Sequence, residues 1–113
     1  MSNEQNNKTA KPGLLTTKIL AVGHLIEKAM NEAERGPVMV DEVPATVRLY
    51  LDGKIEQWWI KPDRSGVVFI LNLTDTKEAS ETLGTLPLCV AGMMKFDLIP
   101  LGPLAPLRML LND

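Results

Sequence analysis

Length, composition and charge already exclude several classes of protein. The chain has 113 residues, the size of one domain, and its 45% hydrophobic and 23% charged residues exclude a wholly disordered chain. Twelve lysines and arginines against 14 aspartates and glutamates give a net charge of −2, which argues against nucleic acid as a partner, and the single cysteine cannot form an intramolecular disulfide.

The amino-terminal segment is polar. Within residues 1–13 only Met1 and Ala10 are apolar, so we predict a disordered arm there and a folded domain over residues 14–103. A signal peptide needs an apolar stretch that this segment lacks, and no apolar run elsewhere has the length of a membrane span. We therefore expect a cytoplasmic protein without a membrane partner.

The first apolar run predicts a strand. Residues 18–22 are apolar after the lysine and stop at Gly23, which favours a strand at about 17–23. Apolar residues then recur at helical spacing as far as Gly36, and this pattern indicates a helical or irregular stretch.

A clearer helical pattern follows. We expect a helix that is capped by Asp41, has Pro44 in its first turn and ends at Asp52-Gly53. Its predicted buried face consists of Val43, Val47, Tyr50 and Leu51.

The middle of the chain predicts two strands. Residues 55–60 have the composition of a strand, and residues 62–66 are dense in turn formers. The second strand, residues 67–73, is apolar on both faces, whereas a strand with one wet face would alternate apolar and polar residues. This strand therefore needs a cover on each side.

The remaining elements complete a known order. Asp75 opens a second helix that Pro87 stops, residues 93–99 form a last strand, and residues 104–113 are an apolar extension expected to pack on the domain or on a neighbouring subunit. The order is β-α-β-β-α-β, the ferredoxin-like α+β pattern with an antiparallel sheet and both helices on one face. Because the other face is left bare, we expect a homodimer, or a larger homo-oligomer, in which two sheets enclose an α+β barrel.

Four segments of the chain are similar to a known family. These segments are residues 51–59, 67–73, 81–88 and 94–101. Their most specific features are Gly53 with Trp59 six residues later, and the sequence Leu86-Pro87-Leu88. In these features the chain resembles the muconolactone isomerase family of dimeric α+β-barrel proteins, over about residues 38–103.

The resemblance implies an activity and one site residue. The family moves a proton beside a lactone carbonyl and shifts a double bond, without a metal or an organic cofactor. The resemblance implies that Glu42, eleven residues before Gly53, is the proton shuttle. The chain has Met39, Ile60 and Gln57 where the family has a lysine, an arginine and a histidine, so the resemblance covers the fold and one acid of the site.

Two residues are candidates for acid–base catalysis. Glu42 is expected at the mouth of the barrel, with a pKa raised by burial; the alternative is an acid that favours the positive end of a helix. His24, the only histidine, is a candidate general base or hydrogen-bond donor; the alternative is a solvated side chain. A single histidine also excludes a His-rich metal site, and we expect no metal and no cofactor.

The candidate substrate-binding residues are aromatic or polar. Trp58 and Trp59 are adjacent, so in a strand they point to opposite faces. We expect Trp59 to line the pocket and stack on an unsaturated ligand, with Gln57 on the same face donating a hydrogen bond to a carbonyl oxygen; the alternative is that both tryptophans are core or interface residues. Tyr50 and Phe69 complete the predicted pocket.

Three functions remain open at this point. The first is a cofactor-independent isomerase or cyclase that acts by proton transfer on a small unsaturated carbonyl or lactone compound. The second is a non-catalytic dimer that binds an apolar ligand or serves as a scaffold, and the third is a cofactor-free oxygenase of the same fold. If the protein is an enzyme, we expect a closed cavity of a few hundred Å³ with Glu42 pointing into it. If it is a scaffold, we expect side chains to fill the barrel.

Overall fold

The structure is a computed structural model that describes residues 15–104. The predicted arm at 1–13, and the predicted extension at 104–113 except for Leu104, lie outside these residues. Over the described range the chain forms an α+β domain with a four-stranded antiparallel sheet and three helices. None of the helices in that range has the length and apolar composition needed to cross a bilayer.

The sheet has the strand order β2-β3-β1-β4. Its strands are β1 (Lys18–Leu25), β2 (Ile55–Ile60), β3 (Gly66–Leu71) and β4 (Met94–Leu101). The helices are α1 (Glu32–Leu51), α2 (Thr76–Gly84) and the single turn α3 (Pro87–Val90), and a short 3-10 helix (Glu27–Met30) precedes α1. The order of these elements is compatible with a ferredoxin-like fold.

One face of the sheet carries the core. The register places Ile19 of β1 opposite Leu71 of β3, and both side chains are almost fully buried. Ala79 and Leu83 of α2 pack in the same cluster. Burying a large aliphatic side chain contributes roughly 1.5–3 kcal/mol, so this face provides most of the stability of the isolated chain.

The opposite face of the sheet has no helix over it within residues 15–104. We call it the bare face. Its central side chains are Leu20 and Val22 of β1 with Val68 and Ile70 of β3. They are half-buried only by their neighbours in the sheet. β3 is thus apolar on both faces, as its sequence predicts.

Helix α1 begins well before the predicted start. Its N-cap is Asn31, whose side chain accepts hydrogen bonds from the backbone N–H groups of Ala33 and Glu34. The predicted cap at Asp41 and the predicted first-turn position of Pro44 are therefore wrong. The helix continues through Pro44, and the carbonyl group that loses its partner belongs to Val40, a residue on the exposed side of α1.

The predicted buried face of α1 is also wrong. Val43, Val47, Tyr50 and Leu51 are 54%, 36%, 42% and 74% exposed. The adjacent stripe, Glu42, Ala45 and Leu49, turns inward instead. Both stripes have helical spacing, and hydrophobicity alone selects the wrong one because the inward stripe contains a carboxyl group and a small residue.

Two smaller boundaries differ as well. Helix α2 ends at Gly84, and Pro87 begins α3 instead of stopping α2. Strand β4 continues through Pro100 to Leu101, beyond the predicted end at Ile99. Proline is tolerated there because β4 is an edge strand, which needs fewer backbone donors.

Two glycines hold β1 and β3 close at the end of the sheet where the β2–β3 turn lies. A Cβ atom on Gly66 would lie only 1.8 Å from the carbonyl oxygen of Gly23, so no side chain fits at that position. The close approach brings the turn against β1, where the N–H of Leu25 donates to the carbonyl of Ser65 at 2.8 Å.

Candidate functional site

A large cleft separates α1 from strands β2 and β3. Its volume is about 920 Å³, and we call it the α1 cleft. Its apolar walls include Met39, Val43 and Val47 of α1 with Trp58, Ile60 and Val67 of the sheet. Because Trp58 and Ile60 are 38% and 65% exposed, the cleft is open to solvent. The closed cavity that we expected if the protein is an enzyme is not what this cleft forms.

Glu42 lies in the α1 cleft and is only 6% exposed. The backbone N–H of Leu88 donates a 2.8 Å hydrogen bond to its Oε1 atom. Its Oε2 atom has a longer contact, 3.4 Å, with the hydroxyl of Thr46, which donates more closely to the Glu42 carbonyl oxygen at 2.9 Å. One carboxyl oxygen is thus held firmly and the other only weakly.

Local sequence explains this arrangement. Pro87 occupies the first position of α3 and has no N–H to leave without a partner. Leu88 follows it in the first turn, where a backbone N–H has no acceptor inside the helix, so this N–H can donate to Glu42. Thr46 follows Glu42 by one helical turn and therefore lies on the same side of α1. The interpretation of Glu42 as an acid at a helix start is wrong, because it lies in the interior of α1.

Burial raises the pKa of Glu42 above its ordinary value, and the hydrogen bonds from Leu88 and Thr46 partly oppose that shift. Burial, together with the charge on Glu42, also raises the pKa of Cys89 to about 11. The thiol is therefore protonated at neutral pH and is a poor nucleophile.

The rim of the α1 cleft is charged. Arg35 donates to the carbonyl of Ala29 at 2.8 Å and lies 3.5 Å from Glu32. In the β2–β3 turn, Asp63 accepts a 2.9 Å hydrogen bond from the N–H of Ser65, and hydrogen bonding to Ser65 lowers the pKa of Asp63. A polar rim above apolar walls suits a small ligand with one polar end.

Two predicted binding residues border the cleft. Phe69 is 3% exposed and lines it on the same side of the sheet as Glu42. Trp59 borders it from the edge strand, but its register partner is Val68 of the bare face. Trp58 is paired with Phe69 instead, so Trp58, and not Trp59, shares the side of Glu42.

Tyr50 and Gln57 do not line the α1 cleft. Tyr50 is exposed, and its ring stacks on Trp58 with centroids 4.4 Å apart and planes 10° from parallel. It borders a separate shallow pocket beside Lys18. Gln57 pairs with Ile70 and therefore belongs to the bare face, away from Glu42.

His24 is also separated from Glu42, by the sheet itself. Its Nε2 atom lies 2.9 Å from Asp97 Oδ2, and its Nδ1 atom lies 3.1 Å from Lys61 Nζ. An ammonium group only donates, so Nδ1 accepts and Nε2–H donates to the carboxylate, which fits a neutral imidazole. The two predicted catalytic residues therefore do not form one site.

Sequence reasoning did not identify several residues of the cleft. Thr46, Leu88 and Arg35 were missed, although the spacing of Glu42 and Thr46 was a signal for the first. The other two needed knowledge of how α1 and α3 meet. Within residues 15–104 no group of three or more histidine, cysteine, aspartate or glutamate side chains is placed to hold a metal ion.

Two comparisons with known proteins were negative. No protein-family model matches the chain, and no curated protein matches it significantly.

Proposed function

We propose that the chain is a cofactor-independent enzyme that moves a proton on a small unsaturated carbonyl or lactone compound, with Glu42 as the acid–base group. One observation carries the proposal: a carboxyl group, 6% exposed, lies in an apolar cleft of about 920 Å³. No ion pair of Glu42 occurs among the described residues.

Burial makes such a carboxyl group suitable for proton transfer at neutral pH. An ordinary glutamate is a weak base because its pKa lies far below 7. Desolvation raises the pKa of Glu42, which brings it closer to the pH at which it both takes and returns a proton. The Leu88 hydrogen bond holds Oε1 and leaves Oε2 available for the proton.

The reaction needs no other reactant. Oε2 of the ionised carboxylate takes a proton from the carbon beside the carbonyl group, and the electron pair left on that carbon spreads into the carbonyl and the double bond. The protonated carboxyl then returns the proton at the far end of the conjugated system, so the double bond shifts and the carboxylate is regenerated. Trp58 and Phe69 supply flat apolar surfaces for a planar substrate.

The proposal includes a ferredoxin-like homodimer with an α+β barrel between two sheets, in the cytoplasm. The bare face supports it, since its centre is aliphatic and its margin carries Trp59 and Ile99, which are 52% and 47% exposed. Contiguous apolar surface of this kind is typical of association surfaces.

Non-catalytic binding of an apolar ligand is the second candidate. The hydrogen bond from Leu88 to Glu42 favours it, because that bond connects α1 to α3 and gives the carboxylate a structural role. The open cleft would then bind a ligand without turnover. The two candidates differ in whether Glu42 exchanges a proton with the ligand.

The test uses β,γ-unsaturated five-membered lactones in D₂O, followed by proton NMR. We expect the wild type to convert them to the conjugated isomers, with deuterium at the newly protonated carbon only to the extent that the carboxyl proton exchanges with solvent before it is returned. Glu42→Gln keeps an acceptor for Leu88 but cannot take the proton, so we expect a rate about 10²–10⁴-fold lower. Glu34→Gln is the matched control, an exposed glutamate of α1 outside the cleft, and its rate should equal that of the wild type.

The results separate the candidates. Full turnover by a folded Glu42→Gln variant would contradict a proton shuttle at this residue. Saturable lactone binding without isomerisation, equal in wild type and variant, would favour the non-catalytic candidate.

A further inference from the structure

The α1 cleft is much larger than a simple five-membered lactone. Its volume is about 920 Å³. At roughly 30 Å³ per non-hydrogen atom, the share of one water molecule in the liquid, a lactone ring with a methyl group has about seven such atoms and needs about 210 Å³. Clefts of about 300–1,000 Å³ are typical of sites for drug-sized ligands. A compound that reacts at Glu42 therefore leaves most of the cleft to water unless it carries a larger group.

The sheet side of the α1 cleft has a flat and fixed wall. Trp58 and Phe69 line it, and each ring packs against a second ring that does not line the cleft. Tyr50 stacks on Trp58 with centroids 4.4 Å apart, and Phe96 lies 5.7 Å from Phe69 with planes 32° apart. These neighbours hold the two rings of the wall in place, so the wall is formed before a ligand binds.

The helix side of the α1 cleft is aliphatic. Met39, Val43 and Val47 line it and follow one another at intervals of one helical turn. The thioether side chain of Met39 is unbranched and adjusts to the shape of what it touches. A flat ring system fits between this side and the aromatic wall, because it contacts both over its full faces.

The charges of the α1 cleft disfavour an anionic ligand. Among the described residues its lining has three carboxyl groups, on Glu32, Glu42 and Asp63, and two guanidinium groups, on Arg35 and Arg64, but no lysine or histidine. Arg35 already donates to a backbone carbonyl at 2.8 Å. A ligand carboxylate would lose water and would be repelled by ionised Glu42, whereas an uncharged ligand avoids both costs.

We propose that the α1 cleft takes uncharged compounds in which the reacting carbonyl or lactone group carries a flat apolar ring system of about ten carbon atoms. The reacting group lies at Glu42, and the ring system lies between α1 and the aromatic wall. The identity of the reacting group rests on the proposed function, but the preference for the ring system does not, because the walls of the cleft alone determine it.

Equilibrium dialysis with three lactones tests the size and shape of the ligand. They carry a methyl, a naphthylmethyl or a decahydronaphthylmethyl group, and the last two have the same carbon skeleton although only the naphthyl group is flat. Burying a ring system as large as a tryptophan side chain corresponds to about 100-fold tighter binding, which we expect for the naphthylmethyl over the methyl compound. The naphthylmethyl compound should also bind about threefold more tightly than its saturated analogue, because only the flat rings stack on the wall. Equal or tighter binding of the methyl or the saturated compound would overturn the proposal.

Two variants locate the bound ring system. Val47→Phe narrows the α1 cleft, so we expect about tenfold weaker binding of the naphthylmethyl compound and little change for the methyl compound. Val40→Phe is the matched control, because Val40 lies on the same helix, is 72% exposed and does not line the cleft. Equal effects of the two variants on the naphthylmethyl compound would overturn the proposal.

A carboxymethyl lactone and its methyl ester test the charge of the ligand. Above neutral pH the ester should bind to the wild type about tenfold more tightly than the acid, and tighter binding of the acid would overturn the proposal.

Binding and turnover are separate results. Glu42→Gln should bind the naphthylmethyl compound as the wild type does but should not turn it over. Selective binding without turnover in the wild type would support the ligand assignment and contradict the proposed function. Turnover of the methyl and naphthylmethyl compounds with equal kcat/KM would do the reverse.

Discussion

On each side of the sheet an ionisable side chain makes a close hydrogen bond, but only on the helix side is that side chain buried away from water. In the α1 cleft, Glu42 accepts a 2.8 Å hydrogen bond and is 6% exposed. On the bare face, His24 and Asp97 are 2.9 Å apart, and their side chains are 45% and 76% exposed. The two hydrogen bonds have nearly equal lengths, whereas the exposed fractions of the side chains that make them differ greatly.

This difference separates two roles. Desolvation shifts the pKa of a buried acid and thereby changes its reactivity, whereas an exposed pair is screened by water and contributes little. The helix side therefore has the features of a chemical site, and the bare face has those of an association surface. Neighbouring residues on β3 allow the two sides to be compared directly.

Leu71 and Ile70 are adjacent on β3 and point to opposite sides of the sheet. Leu71 is 1% exposed in the core, so we expect Leu71→Ala to lower the free energy of unfolding by about 2–5 kcal/mol. Ile70 has no helix above it, and Ile70→Ala should cost about 1 kcal/mol or less in dilute solution. Urea denaturation at low protein concentration measures both.

The same pair of variants tests the proposed homodimer. If two bare faces meet, association stabilises the wild type as protein concentration rises, and Ile70→Ala loses part of that gain. Sedimentation equilibrium should show weaker association for Ile70→Ala at concentrations where the wild type is dimeric. Equal association of both proteins would mean that the bare face is not the interface.

The pH dependence of stability is a smaller effect with a defined sign. Folding raises the pKa of Glu42 above its ordinary value of 4.5. Between 4.5 and the raised value the folded chain binds more protons than the unfolded chain, so its free energy of unfolding falls as pH rises through that window. Glu42→Gln lacks this slope and should gain stability relative to the wild type between pH 4.5 and pH 8.

Urea denaturation of both proteins at several pH values provides the measurement. Glu34→Gln is again the control, because its exposed side chain should leave the slope of the wild type unchanged. Loss of stability by Glu42→Gln relative to the wild type as pH rises from 4.5 to 8 would contradict a raised pKa.

The strands were predictable because their signals are local. β3 is apolar at every position from Val67 to Leu71, and that run alone indicates a central strand needing cover on both sides. The glycines and turn formers around it limit its ends. The α+β pattern then predicted an antiparallel sheet, and the structure has a four-stranded antiparallel sheet.

The candidate site was less predictable because it depends on how α1 docks. Glu42 was identified, but Val43 and Val47 were expected in the core, and both line an open cleft instead. Its partners, Thr46 and the N–H of Leu88, come from the same helix and from a segment 46 residues away. A backbone donor has no sequence signature, so only the packing of α3 against α1 reveals it.

The tryptophans illustrate a second limit. Adjacent residues in a strand point to opposite faces, so the sequence correctly separates Trp58 from Trp59. It does not say which face is which, because β2 has an irregularity between Ile55 and Gln57 that shifts the register by one residue. Counting from the strand start therefore fails at this edge.

The smallest expected effect concerns Asp97 on the bare face. Asp97→Asn keeps an oxygen that accepts from His24 Nε2–H, and the native carboxylate is 76% exposed, so the cost in a dilute monomer should be about 0.5 kcal/mol or less. A cost that increases with protein concentration would show that a second copy covers this pair, because removing water strengthens the interaction between its charges and dipoles. The comparison between the two sides of the sheet would then hold only for the separated chain.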